Sequence, residues 1–454
     1  MAVSGDARHA VAIIGGATAG AEVAGSLARR GVETVVFEQN DRPYGKIEDG
    51  LPRWHVELRK KEYRLIDQKL SLPGVHFVPR TKIGRDIPFE ELVKGWGFTG
   101  VILAVGAWRD RPLAVPGVDA YVGRGLVYQN PFIYWFNHSV EKGYDGPVFE
   151  ILDDAIVVGG GLASIDVVKA LQIETTRQAL AARGIEEEVL TLEVEGIPDV
   201  LAKHGLAWEA LGLQGCTLYY RRREEDMPLV EAPPGADAAR LAKVAQGRRK
   251  ILEKAMRKYL FKVCAQLAPK DVVVEGNRLV GLVFQRTRIQ DGKIVEVPGE
   301  TVEARGSMVV SSIGSVPEPL GSIPMKGELY CFTDWKLGRF ENYEHVFSAG
   351  NVVTGKGNIV ASRKHGAVIA AHVIERFLGL DSAGHAGEEA MAAPAREAAR
   401  ETAEVIAREI TGRPPLPAAT LSSIRERVRR RQNEIGYGDD YNAWIKQVTP
   451  PDMV

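Results

Sequence analysis

Two glycine-rich turns, each closing a short apolar run, constrain this chain more than any other feature. The first reads Val11-Ala12-Ile13-Ile14-Gly15-Gly16-Ala17-Thr18-Ala19-Gly20 and the second Ala155-Ile156-Val157-Val158-Gly159-Gly160-Gly161-Leu162-Ala163-Ser164. Each predicts a buried strand turning through glycines into a helix. The N–H groups of a helix's first turn lack intrahelical partners and can hold a pyrophosphate. In the first turn Gly15 permits the tight bend and Gly20 lets the helix sit close to the strand. Ala17 takes the middle place, where a glycine ordinarily lets backbone approach the pyrophosphate, and Gly16 beside it compensates in part. The second turn keeps Gly159 and Gly161, with the small Ser164 in third place. Two such turns predict an α/β chain with two Rossmann-like dinucleotide-binding domains.

The strands that follow the two turns end differently. Val32 to Phe37 closes on Glu38, whose carboxylate suits the hydroxyls of an adenosine ribose. Cys216 to Tyr220 runs into Arg221 and Arg222, which suit a 2′-phosphate instead. That favours NADP(H) at the second turn, with NAD(H) still open; the competing reading is a solvated cluster neutralised by Glu224, Glu225 and Asp226. A flavin and a nicotinamide in one chain pass a hydride between them, so electron transfer is the first functional reading.

Composition narrows the alternatives. At 454 residues the chain is too long for one ordinary core, and a net charge of −1 gives no overall field for nucleic acid. No apolar run approaches the roughly 20 residues of a membrane helix. The polar N-terminus leads straight into a strand without a visible signal peptide, so a cytoplasmic enzyme is expected. Cys216, Cys264 and Cys331 stand far apart and form no redox pair, iron–sulfur run or zinc spacing, so no metal site is expected. Cys216 opens an apolar strand and is expected to be a buried structural thiol.

Elsewhere, a charged helix is expected over residues 56–70 and the helix of the second turn over 163–171. A helical insertion is expected over 172–215, a basic helix over 236–262 and a β-meander over 271–313. With the family resemblance described next, the expected division is a FAD-binding domain over 1–150 and 326–380, an NAD(P)H-binding domain over 151–325, and a helical C-terminal extension over 381–454. That extension carries a basic run from Arg425 to Arg431 and the aromatics Tyr437, Tyr441 and Trp444. It reads either as a subunit contact or as packing on its own chain.

Residues 10–380 resemble the FAD-dependent pyridine-nucleotide reductases, in the branch of adrenodoxin reductase and the glutamate synthase small subunit. The carriers are Phe37-Glu38 through Gly45, Gly50-Leu51-Pro52-Arg53-Trp54-His55-Val56-Glu57, Val75 through Ile87, Leu103 through Ala107 with Val115-Pro116-Gly117, and Tyr220 through Pro228. The resemblance implies FAD at the first turn and a nicotinamide nucleotide at the second. It implies cofactor contacts from Gly15, Gly16, Ala17, Ala19, Gly20, Glu38, Gln39, Gly45, Lys46, His55, Ala104, Val105 and Gly106. Gly159, Gly160, Gly161, Leu162, Ala163, Ser164, Arg221, Arg222 and Gly314 belong to the same set. Gly350-Asn351 stands where the family has Gly-Asp, so an amide replaces the usual carboxylate toward the ribityl chain. Gly357, Asn358 and Ile359 are expected near the flavin pyrimidine.

His55 and Glu57 match a His-x-Glu close to the flavin in relatives. They read either as flavin positioning and proton supply or as a polar pair holding a loop. Asp166 matches an acidic position in relatives and is expected to make local helix contacts. Trp54 and Trp108 read either as packing on the cofactor or, as is expected of each, as packing in core or loop.

The implied activity is electron transfer between NAD(P)H and ferredoxin or another iron–sulfur protein. An alternative is the FAD subunit of a 2-oxoacid, aldehyde or glutamate synthase-type complex, working with iron–sulfur subunits. About ten residues precede the first strand and none is cysteine, so the partner is expected to bring its own clusters. A nucleotide-binding redox sensor without turnover is a third reading, kept open by Ala17 and Asn351. A dithiol-based disulfide reductase is excluded by the lack of a C-x-x-C.

Overall fold

The computed structural model describes residues 9–230, 232, 235–321, 323–334, 338–350, 352 and 389–450. Two five-stranded parallel sheets organise them. The first runs β17 (Val346–Ser348), β4 (Gly100–Leu103), β1 (Ala10–Ile14), β2 (Glu33–Phe37), β3 (Val75–Val78). Every residue of β1, β2, β4 and β17 is buried, which is why these segments read as continuous apolar runs rather than as alternation. Their side chains still divide by face. Ala10, Ala12, Ile14, Phe37 and Leu103 join a core with residues 83–98. Val11, Ile13, Val36 and Ile102 join another with α1 (Thr18–Ala28) and α3 (Val56–Leu70).

The second sheet runs β6 (Leu126–Tyr128), β13 (Val309–Ser312), β7 (Ile156–Gly159), β8 (Thr217–Tyr220), β9 (Lys262–Ala265). Val157, Leu218 and Val310 pack against α4 (Gln129–His138), α5 (Leu162–Ala181) and α9 (Ala238–Tyr259). On the opposite face Ile156, Val158 and Val309 meet an antiparallel sheet of β10 (Leu267–Glu275), β11 (Arg278–Gln290) and β12 (Lys293–Arg305). Tyr219 stacks on Phe284 there, with ring centroids 4.3 Å apart. The two parallel sheets are joined through a short antiparallel pair, β5 (Arg109–Asp110) and β14 (Ser315–Val316); β15 (Met325–Lys326) and β16 (Leu329–Tyr330) form a small ribbon.

Two expectations are corrected. The helix after the second turn continues to Ala181 rather than stopping near residue 171. Its continuation was hidden because Gln172, Thr175 and Thr176 are polar yet buried; the Gln172 amide bonds the Cys216 N–H and the carbonyls of Tyr259 and Leu260. Shorter helices α6 (Val189–Glu195), α7 (Ile197–Lys203) and α8 (Trp208–Leu211) follow. The segment read as one meander is the antiparallel sheet plus β13, which pairs in parallel with β6 and β7. A short β-branched run carries no mark of its partner's direction.

The C-terminal helices α10 (Glu389–Thr411), α11 (Ala418–Glu434) and α12 (Tyr441–Val448) lie on the first sheet's layers. Ala403, Ile406, Ala407 and Ile410 pack with α1, and Leu421, Ile424 and Val428 with Phe37 and Val78. Tyr437, Tyr441 and Trp444 are buried in the chain's own core; Tyr441 Oη donates to Asp67 and Trp444 Nε1 to the Asp41 carbonyl. These aromatics are therefore consumed by self-packing. No described helix is long and apolar enough to cross a membrane.

Candidate functional site

The first turn is built by close approach. Gly15 has φ +100°, and a Cβ there would lie 2.6 Å from the Ala104 carbonyl oxygen. A Cβ on Gly20 would lie 1.8 Å from the Gly15 carbonyl oxygen, so only glycine lets α1 meet β1 here. Ala17 is accommodated by a second glycine: a Cβ on Gly45 would sit 2.9 Å from the Ala17 methyl. Ala19 likewise faces Gly350, whose Cβ would lie 2.7 Å away. Gly15, Gly16, Ala17, Ala19, Gly20, Gly45, Ala104 and Gly350 thus meet in one place. Glu38 is buried at the end of β2, with Oε2 accepting from Gly16 N–H at 2.8 Å and Oε1 from Asn40 N–H at 3.0 Å. Burial pushes its carboxyl up to about 7 against those two bonds.

Beside this turn opens a cleft of about 650 Å³, lined by Gln39, Lys46, Trp108, Asp110, Asn130 and Tyr134 among others. Lys46 Nζ donates to Asn130 Oδ1 at 3.0 Å and Ser315 Oγ at 2.9 Å, and lies 5.7 Å from the Trp108 ring centre. Burial lowers its ammonium to about 8, opposed by Asp110 and Asp49. Burial raises Asp110 to about 6, though Asn130 N–H bonds it. Trp108 therefore faces the cleft rather than packing only in a loop.

Behind the cleft His138 lies between Asp49, at 3.0 Å, and Glu141, at 2.7 Å. Burial alone would lower the imidazole, but these two hydrogen bonds and charges raise it to about 9. Its folded value lies above the ordinary 6.5, so the stabilisation is complete below pH 6.5 and is lost as pH rises through 9. His138→Gln should therefore cost about 2 kcal/mol at pH 6 and progressively less toward pH 10. Urea midpoints across that range check this; a pH-independent loss contradicts it.

The second turn is more open. A Cβ on Gly161 would meet nothing within 4 Å, which leaves a cradle in front of α5. Gly160 lies against the Tyr220 ring, and Ser164 Oγ donates to the Ser312 carbonyl at 2.9 Å, tying helix to strand. Leu162 is buried in the first turn of α5 and Ala163 exposed. Gly314, with φ +100°, also faces open space. The three arginines after β8 differ. Arg223 pairs with Asp226 through two 3.0 Å bonds. Arg222 donates to the Gly292 carbonyl and makes a longer ion pair with Asp226, Nε to Oδ2 3.7 Å, whereas Arg221 is exposed with no ion pair among the described residues. The neutralised cluster thus holds for Arg223 and fails for Arg221.

His55 and Glu57 are separated. Glu57 is exposed in the first turn of α3, whereas His55 is buried and its Nε2 accepts from Trp54 Nε1–H at 3.0 Å. The acid near His55 is Asp166, 4.0 Å from Nε2, and its Oδ1 is buried without a hydrogen-bond partner. Lys169 follows one helical turn later, fully buried, with Nζ 2.9 Å from Glu193 Oε1 and 4.7 Å from the Trp54 ring centre. Burial alone would raise the Glu193 carboxyl, but the charge and hydrogen bond of Lys169 hold it below its ordinary range. Sequence reading missed Asp166 and Lys169 as site residues. Their signal was a polar i, i+3 pair directly after a glycine turn, on a helix face that packs inward. Val105 and Gly106 follow β4 directly, next to Trp108. Asn351, Gly357, Asn358 and Ile359 lie outside the described residues.

Among the described residues no cluster of three or more metal-ligating side chains occurs. Cys216, Cys264 and Cys331 are unpaired, and burial pushes the Cys216 thiol up.

No protein-family profile matches the chain. Cindoxin reductase of Citrobacter braakii is 31% identical over 169 residues, 37% of this chain and 35% of that protein. The chain thus spans about a third of that relative. The glutamate synthase [NADPH] small chain of Mycobacterium tuberculosis H37Rv is 27% identical over 397 residues, covering 85% of this chain and 70% of that one. The mitochondrial NADPH:adrenodoxin oxidoreductase of Arabidopsis thaliana is 24% identical over 352 residues, 69% of each chain. Among solved structures, FprA of Mycobacterium tuberculosis in complex with NADPH superposes with a TM-score of 0.64 at 17% identity, over 94% of this chain and 91% of that one, a likeness of fold. With two Rossmann-like sheets and relatives of this kind, the chain is similar to the FAD-dependent pyridine-nucleotide oxidoreductases of the adrenodoxin reductase and glutamate synthase small-chain branch.

Proposed function

We propose that the chain binds FAD at the first turn and NADPH at the second, and passes electrons from NADPH to an iron–sulfur protein. The observation that carries this reading is the contrast between the two strand ends, a buried Glu38 in one and the uncompensated Arg221 with Arg222 in the other. Bound FAD supplies two-electron exchange with a nicotinamide and one-electron exchange with a carrier.

The chain's own groups bind and orient. The first turn of α1 offers its N–H groups to the FAD pyrophosphate, with Glu38 placed for the ribose and Gln39, Lys46 and Trp108 along the adjoining cleft. Gly161 gives the second pyrophosphate room, and Arg221 and Arg222 take the 2′-phosphate. His55 Nε2 can take a proton only by giving up the Trp54 N–H, and the new N–H would then turn toward Asp166 Oδ1, 4.0 Å away. Glu57, being exposed, has no part in this step.

Two of the relatives carry their carriers in their names, cindoxin and adrenodoxin, which supports a separate acceptor. The glutamate synthase relatives support the second reading, an FAD subunit within a larger complex. The C-terminal aromatics no longer favour that reading, because they pack on their own chain. The test is reduction of a soluble bacterial ferredoxin by the FAD-loaded chain with NADPH, followed through cytochrome c. Ferredoxin-dependent turnover is expected. Electron transfer to ferricyanide without transfer to any iron–sulfur acceptor would overturn the reading.

A further inference from the structure

The β11–β12 hairpin reaches back to the arginines at the end of β8. At its base, Thr287 Oγ1 donates to the Arg221 carbonyl at 2.8 Å, and the Gln266 N–H donates to the Arg222 carbonyl at 2.9 Å. Gln266 and Thr287 bond each other twice, through Thr287 N–H and Gln266 Nε2. The backbone carbonyls of both arginines are thereby fixed. At its tip, the Gly292 carbonyl accepts from Arg222 Nη1 at 3.2 Å and Nη2 at 3.3 Å.

We propose that this hairpin is a specificity element of the second nucleotide site, positioning the Arg222 guanidinium for the 2′-phosphate of NADPH. The inference rests on the NADPH reading above. Asp226 lies 3.7 Å from Arg222 Nε but spends its hydrogen bonds on Arg223, so the neutral Gly292 carbonyl restrains the Arg222 guanidinium while leaving most of its charge for a phosphate. A guanidinium has five N–H donors, so bonding to one carbonyl leaves others for phosphate oxygens. The rotamer freedom of the long side chain is then lost on folding rather than on binding, which raises affinity for the phosphate selectively. Arg222 acts here as the binding group and the hairpin as its positioning element.

The hairpin can be shortened without disturbing its register. Deleting Ile289, Gln290, Lys293 and Ile294 joins Arg288 to Asp291 and Gly292 to Val295, and Arg288 and Val295 are already cross-strand partners. The Asp291-Gly292 turn, with φ of +50° and +73°, is retained, and the tip withdraws by roughly 7 Å. The FAD-loaded full chain and this variant are titrated calorimetrically with 2′,5′-ADP and with 5′-ADP. The intact chain should prefer 2′,5′-ADP. Shortening should weaken 2′,5′-ADP by about five- to tenfold and leave 5′-ADP within about twofold. In an Arg222→Ala background shortening should change neither, because the hairpin acts through that side chain.

Undiminished binding of 2′,5′-ADP by the shortened chain would overturn the proposal, as would equal losses for both ligands. An intact chain without preference for 2′,5′-ADP would instead overturn the NADPH reading, and the proposal with it. Should the shortened chain not fold, Thr287→Val removes the bond to the Arg221 carbonyl alone. It should weaken 2′,5′-ADP about two- to threefold with 5′-ADP unchanged, and no loss there counts against the proposal.

Discussion

Replacing Arg221 and Arg222 together by alanine is expected to lower kcat/KM for NADPH by about 10³-fold and to change that for NADH by less than about threefold. Charge-assisted hydrogen bonds contribute about 1.5–3 kcal/mol each, so losing one from each arginine gives a loss of that order. NADH has no 2′-phosphate and loses nothing specific. Arg223→Ala is the control, because Asp226 already holds its guanidinium through two bonds. Steady-state rates with ferricyanide as acceptor measure all three variants. Parallel losses for NADPH and NADH would place the arginines in folding rather than in recognition.

The second large effect is at Lys169. Its ammonium is fully buried, bonded to Glu193 and set against the rings of Trp54 and Tyr259, 4.7 and 5.1 Å from their centres. Lys169→Met leaves the buried Glu193 carboxylate facing a thioether and should destabilise the chain by about 3–5 kcal/mol. That is a large share of the roughly 5–15 kcal/mol by which domains are ordinarily stable. Adding Glu193→Gln should recover most of the loss, since the amide has no charge to compensate. Denaturant midpoints of the wild type, both single variants and the double variant test the coupling. A Lys169→Met chain within about 1 kcal/mol of wild type would show that the pair contributes little. The pair also ties α5 and α6 to the loop carrying Trp54 and His55, so the flavin spectrum is a useful second readout.

The parts of the fold most legible in sequence are those with strong local chemistry. Gly15 and Gly20 announce a strand–helix approach that no other residue permits, and the apolar runs around them announce strands buried on both faces. The contrast between Glu38 and the arginines was legible for the same reason, because it follows directly from two strand ends. What sequence could not supply was proximity between distant segments. Gly45 relieves Ala17, which the linear motif shows only as a missing glycine. Glu57 stands two positions from His55, yet α3 carries it to solvent, while Asp166 arrives at His55 from α5, the helix that follows β7 of the second sheet. Gln172 and Lys169 are polar residues in a core, and a pattern of apolar spacing reads such residues as surface. The Gly292 carbonyl is invisible to any reading of side chains, since it reaches Arg222 through backbone alone.

The proposed electron transfer requires one chain to hold a flavin and a nicotinamide nucleotide at two differently charged turns. Its most direct test is to load the purified chain with FAD, remove the excess by gel filtration, and titrate it without oxygen with NADPH and, separately, NADH. One FAD should be retained per chain, with its visible absorbance bleached at far lower concentrations of NADPH than of NADH. A chain that retains no FAD, or whose FAD is reduced equally by both nucleotides, would contradict it.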